Sequence, residues 1–224
     1  MAIHVVSSMA TRQVFAELAA QFESQSGLAV RVEAVGGVHA AKRVRAGERF
    51  DVVALSARVI DQLIAEGHVA APRVDVVVSP IGIGVRAGSV RPDISSAGAV
   101  KRAVLSAGRV GYSTGPSGTH LQRVFETWGI ADAIREKIVV APPGVPVTSL
   151  VARGDIELGF QQMSELAGEG VDVVGTLPAE IQSLTTFSGG VAQTSAQPDV
   201  ARRLLDFMAA PERADVKRRH HFLV

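Results

Sequence analysis

The sequence contains no cysteine, and only 4% of its 224 residues are aromatic. The lack of cysteine excludes disulfides, thiolate zinc sites and a cysteine nucleophile. The scarcity of aromatic residues leaves few surfaces on which single-stranded nucleic acid could stack. Neither sign of charge predominates, since 23 Lys and Arg residues stand against 22 Asp and Glu residues. We therefore expect no nucleic-acid partner.

Long apolar runs are also missing. A membrane span needs about 18 consecutive apolar residues, and because no such run occurs we expect no span. The first stretch, "MAIHVVSSMATRQ", lacks the basic start and the apolar segment of about 7–15 residues that mark a secretory signal. We expect a cytoplasmic protein if residue 1 is native, and a periplasmic one if a leader was removed.

Strand patterns alternate with helical patterns along a chain that is 47% hydrophobic. The stretches "IHVVSS", "LAVRVEAV" and "FDVVALS" read as strands, and a helical pattern follows each of them. The first helix begins at about Thr11, and Gly27 is a typical stop signal. Its apolar stripe consists of Val14, Phe15, Leu18, Ala19 and Phe22. This alternation favours a parallel α/β sheet with helices on both faces.

A second lobe begins in the stretch "VDVVVSPIGIGVRAG". It is long for one strand and contains Ser79-Pro80 in its middle, so we interpret it as the chain leaving one lobe and entering another. Further strands are predicted in "RVGYS", "EKIVVAP", "IELGFQQ", "VDVVGTLP" and "LTTFSGGVA". The stretch "PDISSAGAVKRAVLSAG" is typical of a capped helix.

The segment "GYSTG" matches the G-x-S-x-G pattern of a serine nucleophile, with Ser113 at its centre. In an α/β-hydrolase the helix starts directly at that serine. Here Pro116-Ser117 is the typical helix start, because proline at the first helical position loses no hydrogen bond. The order Ser, Asp, His is available through Asp155 or Asp199 and His220. A serine hydrolase is therefore kept as an alternative.

The same segment also favours a loop that binds an anion with its backbone. The first N–H groups of a helix have no helical partner and point along its dipole, and small residues let an anion approach them. The small and hydroxyl-bearing residues of this loop are Ser113, Thr114, Gly115, Ser117, Gly118 and Thr119. No Walker lysine follows, so a nucleoside triphosphate is not expected. An ordinary strand-to-helix turn is the other interpretation.

Three further predicted strands end in polar residues or in glycines. These residues are Ser7-Ser8, Gly36-Gly37 and Gln161-Gln162. Ligands of open parallel sheets collect at the carboxyl ends of strands, so we expect these positions to contribute to one ligand site. Hydroxyls, amides and backbone groups suit recognition by hydrogen bonds.

Single side chains near those strand ends add charge and titratable groups. Arg12 could bind a carboxylate through two hydrogen bonds, or could be a solvated surface charge. His39 and His120 are candidate general bases if the protein is an enzyme, or else exposed or capping histidines. Tyr112 is either a wall of the ligand site or a core residue. No group has metal-ligand spacing, so we expect no metal and no cofactor.

Several stretches together resemble the molybdate-binding-protein-like family of periplasmic solute-binding proteins. They include "FAELAAQFESQSGLAVRV", "VGYSTGPSGTHLQRVFETWGI" and "GDIELGFQQMSEL", and the resemblance covers almost the whole chain. It implies the type II periplasmic-binding-protein fold, with two α/β lobes, a ligand in the cleft between them and two crossovers. Residues 1–80 and 185–224 would form lobe 1, and residues 81–184 lobe 2. An ABC transporter would be a partner only if the protein is exported; the oligomeric state is not predicted.

The resemblance is strongest to the branch that includes aconitate isomerase, through "RPDISS" and "PAEIQSLTTFSGGV". Where molybdate binders have a serine run after the second strand, this chain has Gly36-Gly37-Val38. Where they have a tyrosine in the second lobe, it has Gln161 or Gln162. We therefore expect the ligand to be a small anion, most simply an organic di- or tricarboxylate. The alternatives are an isomerase that moves a proton on an aconitate-like acid, and a transport component that binds a molybdate-like oxyanion.

Overall fold

The computed structural model describes residues 2–142 and 144–224, which form two compact units. Unit 1 comprises the chain up to Ser79 and from Thr185 onward, and unit 2 comprises Pro80–Leu184. Each unit contains one five-stranded sheet. The chain thus passes from unit 1 to unit 2 in the middle of the stretch "VDVVVSPIGIGVRAG".

The strands follow the predicted stretches closely. The described residues form β1 (Ile3–Ser8), β2 (Val30–Val35), β3 (Val52–Ser56), β4 (Val74–Ser79), β5 (Ile81–Arg86), β6 (Val110–Tyr112), β7 (Ile138–Val140), β8 (Leu158–Gln162), β9 (Val171–Thr176) and β10 (Thr185–Val191). The sheet of unit 1 has the order β2-β1-β3-β10-β4, and that of unit 2 has the order β7-β6-β8-β5-β9.

The helices connect these strands. The described residues form α1 (Arg12–Ser26), α2 (Gly37–Arg45), α3 (Ala57–Ala65), α4 (Ala97–Ser106), α5 (Pro116–Thr127), α6 (Ala131–Ile134), α7 (Val147–Arg153), α8 (Met163–Leu166), α9 (Pro198–Ala209) and α10 (Ala214–Arg219). Helix α1 ends at Gly27, whose φ of 71° is left-handed and favours glycine. Helix α4 begins as predicted, since the Ser96 hydroxyl accepts a hydrogen bond of 3.2 Å from the Ala99 amide.

Both sheets are mixed, so the prediction of a parallel sheet is wrong at β5 and β10. Strand β10 is antiparallel to β3 and β4, and β5 is antiparallel to β8 and β9. The cause lies in where these strands begin. Ile81 of β5 pairs with Gln162 at the end of β8, and Thr185 of β10 pairs with Ser79 at the end of β4. A strand that starts where its neighbours end can only run in the opposite direction.

Helices cover both faces of each sheet, as predicted. Because side chains alternate along a strand, Val5 and Val6 of β1 belong to different hydrophobic clusters. In unit 1, helices α1 and α9 cover one face, and α2 and α3 cover the other. In unit 2, α4 and α5 cover one face and α7 the other. The α/β fold class is confirmed.

Candidate functional site

Three parallel strands of unit 2 end on the same side of its sheet. Strand β6 is parallel to both β7 and β8, and these strands end at Tyr112, Val140 and Gln162. Helices α5, α7 and α8 each begin in the connection that follows one of them. We refer to residues 113–118, 144–147 and 161–165 as the strand-end edge of unit 2.

The start of α5 is held by the polar groups of its own loop. The Ser113 hydroxyl accepts a hydrogen bond of 3.3 Å from the Gly115 amide. Helix α5 then begins at Pro116, as predicted. The Thr119 hydroxyl donates back to the Gly115 carbonyl at 3.3 Å. These bonds fix the first turn without any contribution from the Ser117 side chain.

Ser117 is the residue of this turn whose hydroxyl is not satisfied by the protein. It is 1% exposed, and its Oγ has no hydrogen-bond partner within residues 2–142 and 144–224. Leaving a buried hydroxyl unpaired costs about 1–3 kcal/mol. The backbone N–H groups of Ser117 and Gly118 lie too early in the helix to reach a carbonyl four residues back, whereas that of Thr119 bonds to the Gly115 carbonyl at 3.1 Å. The turn therefore offers several hydrogen-bond donors to an anion.

Gly118 brings the loop close to the helix. A Cβ atom at this position would lie 1.8 Å from the backbone oxygen of Ser113, which is far inside van der Waals contact. Only glycine therefore allows the loop to pack against the first turn of α5 in this way. The same approach keeps the N–H groups of the turn close to the end of β6.

Gln161 connects β8 to the start of α7. It is buried, and its Oε1 accepts a hydrogen bond of 3.1 Å from the Val147 amide. That bond satisfies one of the N–H groups at the start of α7 that lack a helical partner. Because Oε1 of Gln161 faces Val147, its amide nitrogen faces away from α7. Gln162, also buried, ends β8 directly before α8.

Glu165 is a candidate functional residue that sequence reasoning missed. It lies in α8 and is partly buried. Burial raises its pKa to about 7, and a hydrogen bond with the Gln161 side chain opposes that rise. A carboxyl group with a pKa near 7 can take up and release a proton at neutral pH. Next to it, the Ser164 hydroxyl has no partner in the described part of the chain.

The predicted residues of unit 1 also lie at the ends of parallel strands. The Ser8 hydroxyl accepts a bond of 3.4 Å from the backbone two residues on, and buried Ser7 donates to the Ser8 carbonyl at 3.5 Å. Arg12 is exposed at the start of α1, and no ion pair reaches it from the residues the structure describes. Gly36-Gly37 marks the start of α2. Strands β1, β2 and β3 are parallel, so these positions share one edge of the sheet of unit 1.

The two histidines proposed as bases differ in their surroundings. His39 is exposed on α2, and its ring forms no hydrogen bond with the residues that the structure describes. His120 contacts the Ile181 carbonyl oxygen through Nε2 at 2.8 Å. Because a carbonyl only accepts, Nε2 of His120 is the donor. This leaves only Nδ1 of His120 for proton transfer.

Tyr112 is a core residue and not a wall of the site. It is 5% exposed, and its ring lies 6.3 Å from that of Phe125. Its hydroxyl accepts a long hydrogen bond of 3.4 Å from Gln122. The tyrosine thus anchors the end of β6 in the hydrophobic core of unit 2.

A cavity in unit 1 lies at the opposite edge of that sheet from the strand ends. It has a volume of about 260 Å³, and Arg31, Glu33 and Arg43 are among its lining residues. Arg43 forms ion pairs with both Glu33 and Glu48. Because the two glutamates offset most of the charge of Arg31, Arg43 and Arg49, the cavity offers little net charge to an anion.

Neither a metal cluster nor a membrane span is found among the described residues. No three His, Asp or Glu side chains in residues 2–142 and 144–224 come together in a group that could hold a metal ion. None of the helices formed by these residues is long and apolar enough to cross a membrane.

A family model described as bacterial extracellular solute-binding protein matches residues 3–223. The chain belongs to this family. The match spans both units, so membership applies to the whole fold. The resemblance to molybdate-binding-like solute-binding proteins is confirmed.

Individual members and solved structures show the same relationship. The aconitate isomerase of a Pseudomonas species is 36% identical to this chain, over 94% of this chain and 83% of that protein. The periplasmic molybdate-binding protein of Azotobacter vinelandii has a TM-score of 0.82 at 18% identity, covering 99% of both chains. The sulfate-binding protein of Mycobacterium tuberculosis H37Rv has a TM-score of 0.79 at 16% identity, covering 99% of this chain and 86% of that one. These structures show the periplasmic-binding-protein fold.

The surroundings of the Ser-Asp-His residues that a serine hydrolase would use agree with membership of a solute-binding family. The Ser113 hydroxyl is bonded to the backbone of its own loop. His220 is bonded through Nε2 to Glu17 at 2.8 Å, and Asp155 is bonded to Arg153 at 2.9 Å. Each of these residues has a partner outside the triad, and Asp199, the other candidate acid, lies in the first turn of α9. These bonds do not support a serine hydrolase.

Proposed function

We propose that this solute-binding protein binds a small organic di- or tricarboxylate, and that the strand-end edge of unit 2 holds one of its carboxylate groups. The observation that carries the proposal is the buried, unpartnered hydroxyl of Ser117 in the first turn of α5. A carboxylate placed there would accept hydrogen bonds from this hydroxyl and from the N–H groups of the turn. It would also be favoured by the positive end of the helix dipole.

The comparison with relatives supports a carboxylate over a metal oxyanion. The relative that is 36% identical acts on aconitate, which is a tricarboxylate. The molybdate-binding and sulfate-binding structures are only 18% and 16% identical. Gly36-Gly37-Val38 also replaces the serine run, and Gln161 or Gln162 the tyrosine, that the molybdate-binding resemblance implies.

A second candidate function is isomerisation of an aconitate-like acid by transfer of a proton between two of its carbons. The 36% identity to aconitate isomerase favours it, and so does a carboxyl group at the strand-end edge whose pKa is about 7. A protein that only binds its ligand needs no such group. The two functions share the same anion site.

The anion site is tested by adding a negative charge to it. We expect Ser117→Asp to abolish binding of trans-aconitate and citrate in isothermal titration calorimetry, because two negative charges would then occupy the same turn. The matched control is Thr127→Asp, which adds the same charge to the exposed last residue of the same helix. That variant should bind within about threefold of wild type. If Ser117→Asp binds as tightly as wild type, the start of α5 is not the anion site.

A further inference from the structure

We propose that Glu165 is the catalytic residue that takes up and returns the proton in this site, and that Gln161 is its positioning residue. The proposal rests on the proposed function, since it needs a carboxylate substrate at the strand-end edge of unit 2.

Close packing fixes the helix that carries Glu165. A Cβ atom on Gly82 of β5 would lie 2.7 Å from the Met163 sulfur, and one on Gly84 would lie 3.1 Å from a methyl group of Leu166. The two glycines thus let α8 lie directly on the sheet. Met163 and Leu166 are three residues apart and share one side of the helix. Glu165 therefore lies on another side of α8, where the Gln161 side chain reaches it.

Gln161 holds the carboxyl group in a defined orientation. Its Oε1 is occupied by the Val147 amide at 3.1 Å, so the NH₂ end of the side chain is the donor in its hydrogen bond with Glu165. A carboxylate has about four acceptor positions, and one bond from Gln161 leaves capacity to accept a proton. The start of α7, Gln161 and Glu165 thus form one connected chain at the strand-end edge.

The charged groups on the elements around α8 lie away from this end of the sheet. Arg86 is the last residue of β5, Asp172 pairs beside it near the start of β9, and Arg153 is the last residue of α7. Strand β8 carries no titratable side chain. Burial is therefore the main influence on Glu165, and it raises the pKa to about 7. Both the acid and the carboxylate are populated at neutral pH.

The chemical step balances within the substrate and one carboxyl group. The Glu165 carboxylate takes a proton from the CH₂ carbon of the unsaturated acid, and the C–H electron pair forms a new C=C bond to the central carbon. The electrons of the original double bond then take the proton back from Glu165 at the carbon two atoms away. Glu165 ends as a carboxylate, and no oxidant or co-reactant is needed. Charge that develops on the substrate carboxylate is stabilised by the N–H groups of α5.

The test separates binding from proton transfer. Wild type, Glu165→Gln and the control Glu169→Gln, which alters an exposed glutamate just beyond α8, are titrated with trans-aconitate by calorimetry. Each is then incubated with trans-aconitate in D₂O, and ¹H NMR follows CH₂ exchange and the appearance of the cis isomer. We expect Glu165→Gln to bind within about threefold of wild type and to lose at least about 100-fold in exchange rate. The control variant should retain both the wild-type affinity and the wild-type exchange rate.

The outcomes distinguish the two proposals. If wild type binds neither trans-aconitate nor citrate nor any smaller dicarboxylate, the proposed function fails. If wild type binds but does not exchange, or if Glu165→Gln exchanges as fast as wild type, the role of Glu165 is overturned while binding stands. Should Glu165→Gln not fold, Glu165→Asp keeps the charge and withdraws it by one CH₂ group. A wild-type rate in that variant would equally overturn the role.

The role of Gln161 is tested by the pH profile of exchange. Gln161→Met keeps the length of the side chain and removes the hydrogen bond that lowers the pKa of Glu165. We expect the rising limb of the rate to move to higher pH in this variant. A profile that coincides with that of wild type would show that Gln161 does not position Glu165.

Discussion

The carboxyl group of Glu165 differs from that of Glu169, shortly after it in the chain, only in its surroundings. Glu165 is partly buried in α8, which packs against β5 and β8, whereas Glu169 is exposed. Burial penalises the charged form, so the pKa of Glu165 rises to about 7. The sequence places both glutamates in one polar stretch and gives no sign of this difference. Residue type points to hydroxyls and amides as candidate ligand groups, but burial decides which carboxyl can exchange a proton.

The raised pKa of Glu165 makes folding stability depend on pH. The folded state binds the proton more tightly than the unfolded state, whose pKa is near the ordinary 4.5, so stability falls as pH rises from about 4.5 through 7. The loss is at most ~3 kcal/mol, since one pKa unit corresponds to about 1.4 kcal/mol. Glu165→Gln cannot ionise and should lack this loss. Urea unfolding at pH 5 and pH 8 should therefore show a smaller decrease for Glu165→Gln than for wild type; equal decreases would contradict the buried carboxyl.

Helix α5 and the loop before it are the element on which the proposed anion site depends. The sequence predicted the start of the helix at Pro116 and unpaired N–H groups in its first turn, because proline suits the first helical position and the first N–H groups of a helix lack a helical partner. Helices α6 and α8, each of 4 residues, were not predicted. They are too short to show a helical period. Since Glu165 lies in α8, its place at the strand-end edge was missed along with the helix.

Because the loop and helix approach each other closely at Gly118 but not at Gly115, we expect these two glycines to differ in how well they tolerate a Cβ atom. We expect Gly118→Ala to destabilise the protein by about 2–3 kcal/mol, because its Cβ would lie 1.8 Å from a backbone oxygen that cannot rotate away. Gly115→Ala is the matched control, since its Cβ would meet the Ser113 hydroxyl at an ordinary 3.4 Å. Thermal unfolding should show a clear decrease in Tm for Gly118→Ala. For Gly115→Ala the free energy of unfolding should change by less than about 1 kcal/mol. Equal effects would mean that the approach at Gly118 is not required.

At the scale of the whole molecule, the alternation of strands and helices was sufficient to predict an α/β fold. Local periodicity could not give the direction of β5 and β10, because that depends on which distant strands they join. Their starting residues, Ile81 and Thr185, follow directly after the two passages of the chain between units. The grouping of Ser117, Gln161 and Glu165 at one edge likewise depends on the parallel pairing of β6 and β8.

The most direct test of the central claim is the thermal unfolding of wild-type protein with a panel of anions. The panel contains citrate, cis- and trans-aconitate and smaller dicarboxylates, beside molybdate, tungstate, sulfate and phosphate. A ligand present at 100 times its Kd stabilises the folded state by about 2.7 kcal/mol, which is a readily measured rise in Tm. We predict that di- or tricarboxylates raise the Tm and that the metal oxyanions do not. A rise with molybdate or tungstate alone would contradict the carboxylate site and would indicate an oxyanion-binding transport component.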